Sequence, residues 1–275
     1  MSIIHAIIFG IIEGITEFLP ISSTGHLTIA EKLLGYDIED PALTAFTAFI
    51  QVGATLATVL YFRKDIWRVL TAWLKGITGG SRDNPDYRMG WGIIVGSIPI
   101  AVVGLAFKHQ IETGLRSIWF VAWALILWSL VMYWAEKHAS QKRHEKSTTW
   151  RDTLFVGVAQ CIALIPGVSR SGATISASFM RGFDRMTATR LSFFLSIPAL
   201  IAAGILEAVT KASDISERVG WRPTIVATIV SFVVAYIAVA WLLKFIATHS
   251  YQSFIVYRVG LGVALMVLLV TGVIS

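Results

Sequence analysis

The chain has 275 residues, 55% of them hydrophobic and 15% charged, with a mean hydropathy of +0.69. So apolar a composition excludes an ordinary soluble domain, and the net charge of +6 reads as a bias of the loops of a membrane protein rather than as affinity for nucleic acid. The single cysteine, Cys161, excludes an intrachain disulfide and a cysteine-based zinc site, and is expected to be a small buried residue.

In chain order, the start MSIIHAIIFG lacks a basic segment and a small-residue cleavage site, so no removed signal peptide is expected. The apolar run 3–19 ends at a proline and a stretch rich in serine and glycine, and a short helical segment follows over 26–34. Runs 42–62, 91–107 and 118–135 are each long enough to cross a bilayer. The run 153–165 then breaks as the first did, with a short helical segment over 174–183, before three more spans at 191–209, 224–246 and 254–274. Neither arm of the two broken runs is comfortably long enough to cross alone. A break at membrane depth is tolerated only where protein or water encloses it. The fold expected is therefore an all-α integral membrane protein, with six transmembrane helices and two re-entrant helix-loop-helix hairpins.

A shift of 147 residues superposes Gly10 on Gly157, Glu13 on Gln160, Ser22 on Ser169, Thr24 on Ser171 and Gly25 on Gly172. Residues 1–275 thus read as one membrane domain of two repeats, 1–136 and 150–275. Each half crosses an odd number of times, so the second is inverted relative to the first. Sixteen Lys and Arg residues, Arg258 among them, fall on one side of this topology, and six (Lys32, Lys108, Arg116, Lys211, Arg218 and Arg222) on the other. The positive-inside rule puts the sixteen in the cytoplasm, with both termini and the first hairpin's mouth outside. The charged stretches 63–87 and 136–152 are expected to be solvated cytoplasmic connections. Trp67, Trp91, Trp119, Trp134, Trp150 and Trp221, near span ends, suit an interfacial belt.

Ionisable groups in such sequence are costly and mark function. In EGITEFLPISSTGH (13–26), Glu13 and Glu17 lie one turn apart and can hold a divalent cation, share a proton or orient a histidine. Ser22, Ser23 and Thr24 offer hydroxyls and backbone N–H groups to an anion at a helix N-terminus. His26, three residues after Ser23, is the nearest base for a serine nucleophile. In PGVSRSGAT (166–174), Ser169, Ser171 and Thr174 surround Arg170, whose planar guanidinium matches phosphate oxygens or pairs with Glu13 or Glu17 across the hairpin interface. One loop offers nucleophile, base and metal ligands, and the other an anion clamp, which is equipment for phosphoryl transfer on a lipid substrate.

These two motifs resemble those of the bacitracin-resistance family of undecaprenyl-diphosphate phosphatases, and the likeness in length and hydropathy covers the whole chain. The resemblance implies removal of the terminal phosphate of the C55 isoprenyl diphosphate, giving the monophosphate carrier lipid of cell-wall synthesis in the bacterial inner membrane. It implies a divalent cation, Mg²⁺ or Ca²⁺, with Glu13 and Glu17 as its ligands, and an outward-facing site. It also implies Ser23 as nucleophile, His26 and Glu17 as its acid/base support, Glu13 as metal or orienting carboxylate, and Arg170 with Ser169, Ser171 and Thr174 as the diphosphate clamp, beside Ser22 and Thr24. Which of Ser22 and Ser23 attacks stays open, as does a homodimer. The type 2 phosphatidic acid phosphatases also use a serine-glycine-histidine stretch and a later arginine, but need a histidine where this chain has Ser176. A lipid-phosphate transporter or flippase is the rival reading, because inverted repeats with broken helices are common in transporters.

Overall fold

The computed structural model describes residues 1–107, 110 and 117–272, so Lys108, Arg116 and the end of the last expected span lie outside the described residues. Among the described residues, its α-helices longer than three residues are α1 (Ile3–Thr16), α2 (Ser23–Leu33), α3 (Pro41–Tyr61), α4 (Arg63–Ile77), α5 (Pro85–Ala106), α6 (Ile118–His138), α7 (Trp150–Gln160), α8 (Arg170–Met180), α9 (Arg185–Thr210), α10 (Trp221–Ile246) and α11 (Gln252–Val270). Six of these, α3, α5, α6, α9, α10 and α11, are long and apolar enough to cross a membrane. Four of their starts are marked in the sequence by side chains that satisfy the free N–H groups of the first turn. Asp40 and Asn84 cap α3 and α5 ahead of prolines, Ser117 caps α6 and Asp184 caps α9.

Four pairings carry much of the helix packing. Helix α1 lies against α10 as α7 lies against α5, while α3 meets α9 and α6 meets α11. Gly10 and Gly157, one of the glycine pairs matched by the 147-residue shift, each sit at a tight crossing. A Cβ on Gly10 would stand 2.5 Å from the Ala227 carbonyl oxygen, and one on Gly157 would stand 2.0 Å from that of Gly96. Only glycine permits these backbone approaches. Close crossings of this kind suit helices in lipid, where packing rather than water drives association.

The stretches 63–87 and 136–152 are more ordered than the solvated connections expected of them. The first contains the 15-residue helix α4. In the second, Arg143 donates to both oxygens of Asp152 at 2.9 and 2.7 Å, and Arg181 from the end of α8 adds a bond of 2.7 Å. Arg190 bridges Asp65 and Glu145, and Arg185 holds Glu136. One end of the bundle is thus laced by ion pairs, while Met1 reaches the Val219 carbonyl at the other. Cys161, expected to be buried, is only half-buried and donates to the Gly157 carbonyl.

Burial opposes the ionisation of Asp152, but hydrogen bonds from Arg143, Thr149 and Arg181 outweigh it and hold the carboxyl well below the usual carboxylate range. A depressed folded value gives stability that is complete above the unfolded value of about 3.9 and is lost as pH falls through the folded one. Asp152→Asn is expected to cost about 2 kcal/mol near neutrality, less than a fully buried pair because both arginines are partly exposed. In melting curves of the detergent-solubilised protein, the gap between parent and variant should be constant above about pH 4 and narrow below it. A gap that widens in acid would contradict this.

Candidate active site

Both broken runs turn on a serine in the left-handed region. Ser22 has φ 75° and Ser169 has φ 77°, and each hydroxyl caps the helix after it, accepting from Gly25 N at 3.3 Å and Gly172 N at 3.1 Å. A non-glycine residue there is strained and persists only where its surroundings over-determine it. The Ser22–Ser169 correspondence of the sequence is thus a correspondence of backbone geometry.

The two loops meet directly. Ser171 Oγ donates to the Leu19 carbonyl at 2.9 Å and lies 3.0 Å from Ser169 Oγ. Arg170 Nη2 reaches Glu17 Oε1 at 2.8 Å, the cross-hairpin pair anticipated for it. On the same carboxylate, Oε2 accepts from Ser23 Oγ at 2.5 Å. Glu17, Ser22, Ser23, Thr24, Ser169 and Arg170 all line one cavity of about 380 Å³. Beyond them its wall is mostly apolar, with Ile100, Leu105, Leu164, Leu200 and Leu206 among the lining.

Four expected site residues lie outside that lining, Glu13 among them. His26 does not touch Ser23: its Nδ1 donates to the Ser22 carbonyl at 2.7 Å, and its Nε2 accepts from the Tyr257 hydroxyl at 2.7 Å, with the two rings stacked. Both ring nitrogens of His26 are thus engaged, and the group hydrogen-bonded to the Ser23 hydroxyl is Glu17. Thr174 is fully buried, bonding the Arg170 carbonyl and Ser192 Oγ at 2.8 and 2.6 Å, so its hydroxyl does not face the cavity. Ser171 ties the two loops together rather than lining the cavity.

Arg258 carries a role that the charge count obscured. Assigned to the cytoplasmic side, it is in fact fully buried in α11. Its guanidinium donates to the Pro20 carbonyl at 3.3 Å, the Gly167 carbonyl at 2.9 Å and Ser129 Oγ at 3.0 Å, so one side chain holds both loops. The cytoplasmic tally therefore falls to fifteen. An arginine inside the apolar run 254–274 was the signal that could have found it.

Glu13 is fully buried, and neither carboxylate oxygen has a hydrogen-bond partner among the described residues. With Glu17 one turn away, the donor set is two carboxylates, which suits a hard divalent cation completed by substrate oxygens. No cluster of three His, Cys, Asp or Glu side chains occurs among the described residues, so this chain would supply only part of the coordination shell.

The family model described as bacitracin resistance protein BacA matches residues 6–264. The chain belongs to that family. Over its full length it is 62% identical to a protein of Frankia casuarinae named undecaprenyl-diphosphatase 3, covering 99% of that relative. It is 56% identical, with both chains fully covered, to an undecaprenyl-diphosphatase of Cutibacterium acnes. To undecaprenyl-diphosphatase 1 of Streptomyces coelicolor it is 50% identical over 99% of this chain and 98% of the relative.

Proposed function

We propose that this chain is an undecaprenyl-diphosphatase, hydrolysing undecaprenyl diphosphate to undecaprenyl phosphate and inorganic phosphate. The observation that carries the reading is Glu17, which takes the Ser23 hydroxyl on one oxygen and the Arg170 guanidinium on the other at the polar end of an apolar cavity. The cavity's apolar wall suits an isoprenyl tail, and its polar end suits the diphosphate.

In the step proposed, Ser23 Oγ attacks the terminal phosphorus while its proton passes to Glu17. An O–P bond forms to serine, the P–O bond to the lipid monophosphate breaks, and water later releases phosphate from the serine. Arriving phosphate draws Arg170 off Glu17, which frees that carboxylate to act as base and puts the cation where charge develops. Ser22, Thr24 and Ser169 line the same end of the cavity and bind the substrate oxygens. Glu13 and Glu17 would hold Mg²⁺ or Ca²⁺, which when bound neutralises phosphate charge.

The shared turn geometry and the exchanged helix pairings support two re-entrant hairpins in an inverted repeat. The cavity draws on the starting half of α3 and the last turns of α5 and α9, away from the ion-paired end of the bundle. The positive-inside rule then assigns it, with both termini, to the outer face of the inner membrane.

Phosphate release from the solubilised protein given the isoprenyl diphosphate tests the reading. Release with Mg²⁺ or Ca²⁺ that stops on chelation and returns on adding the metal is the expected result. Absence of release under every metal condition would point to a lipid-phosphate carrier, which needs no hydroxyl poised on a carboxylate.

A further inference from the structure

Helix α4 has no part in the site above, yet it has three distinct faces. At about 100° per residue, Ile66, Val69, Trp73 and Gly76 occupy one sector, Trp67, Leu70, Leu74 and Ile77 a second, and Lys64, Arg68 and Lys75 a third. The first is packed on the protein: a Cβ on Gly76 would stand 2.2 Å from the Tyr87 ring, and Trp73 meets Trp91 edge to face at 5.7 Å. The second, apart from Arg63 at the start of the helix, is apolar and open, with Trp67 68% exposed and Leu70, Leu74 and Ile77 between 40% and 48%. The span α5, on which α4 packs, carries exposed apolar residues of its own, Trp91, Ile94 and Ile98.

We propose that α4 is an interfacial helix that binds the anionic phospholipid leaflet at the ion-paired end of the bundle, with its apolar face among acyl chains and Lys64 and Lys75 on lipid phosphates. Depth follows from α3, whose 21 residues rise about 31 Å and use up the hydrocarbon thickness, so α4 begins at the headgroups. Sign follows from the third face. Arg68 is committed to Asp65, Asp86 and Glu145, whereas Lys64 and Lys75 are exposed and extend toward solvent beside the apolar sector. An apolar stripe flanked by lysines complements a negatively charged leaflet, and each such lysine is worth about 1 kcal/mol, or about five-fold in affinity.

Native mass spectrometry of the full-length protein titrated with phosphatidylglycerol or phosphatidylcholine measures the preference. The Lys64→Gln/Lys75→Gln variant is expected to weaken phosphatidylglycerol binding about five-fold per lysine and to leave phosphatidylcholine unchanged. Equal phosphatidylglycerol affinity in parent and variant would overturn the proposal. Independently, a nitroxide on Leu74→Cys in a Cys161→Ser background, in vesicles containing phosphatidylglycerol, should be accessible to oxygen and shielded from aqueous nickel. Nickel accessibility, or dipolar broadening from a second copy seated on this face, would equally refute it.

Discussion

Ser23→Ala is expected to lower phosphate release by about 10³-fold or more, because the proposed nucleophile is removed. Glu17→Gln should cost about 10²- to 10⁴-fold, since an amide cannot accept the serine proton that the carboxylate takes at 2.5 Å. Ser22→Ala should retain measurable turnover: it loses a helix cap on Gly25 N, a contact worth about 1 kcal/mol, and one of several contacts to the substrate oxygens. Steady-state phosphate release on the three purified variants separates these outcomes. Full activity in Ser23→Ala, with loss in Ser22→Ala, would move the nucleophile by one residue. His26→Gln adds a sharper comparison. If His26 braces the Ser22 carbonyl rather than taking the Ser23 proton, its loss should weaken catalysis by much less than the loss in Glu17→Gln.

Arg258→Met is the second large effect. The substitution keeps much of the side-chain volume and removes every donor, leaving the buried Pro20 and Gly167 carbonyls without their guanidinium. Each unsatisfied buried acceptor costs about 1–3 kcal/mol, so a loss of about 3 kcal/mol or more is expected in denaturant titration of the solubilised protein. Activity should fall with it, since the two loops would no longer be held in the register that brings Arg170 to Glu17. Arg258→Lys should recover only part of either loss, because an ammonium is a point charge and cannot span acceptors on two loops and on Ser129 as a planar fork does. Unchanged stability in Arg258→Met would show that the loops are held by other contacts.

Much of the architecture was legible because lipid makes sequence explicit. Uncharged runs near 20 residues mark spans, and all six expected spans appear as helices, with described boundaries shifted by up to six residues. The breaks at 20–25 and 166–172 were legible for the same reason, since proline, glycine and hydroxyl residues are conspicuous against leucine and valine. The helix α4 was not, because its stripe of Trp67, Leu70, Leu74 and Ile77 is interleaved with Arg and Lys. By charge alone it reads as a solvated connection.

By itself, then, the amino-acid sequence determined the membrane class, the spans, the two polar breaks and the residue types available for phosphoryl chemistry. These follow from hydropathy and local chain preference, which act over a few turns of helix. Only the tertiary structure decided which of those residues meet. Glu17 and Arg170 are separated by 153 positions and come together because α1 and α7 cross their partners at Gly10 and Gly157 and bring the loops face to face. The same packing put Tyr257 on His26 and turned Thr174 toward Ser192, removing both from the place that spacing suggested. It also carried Arg258 into the core, where carbonyls from both loops replace the water that a charge count assumes. Spacing along a chain cannot report the direction in which a side chain points once two helices have packed, and that direction separates a residue that lines the cavity from one that braces it.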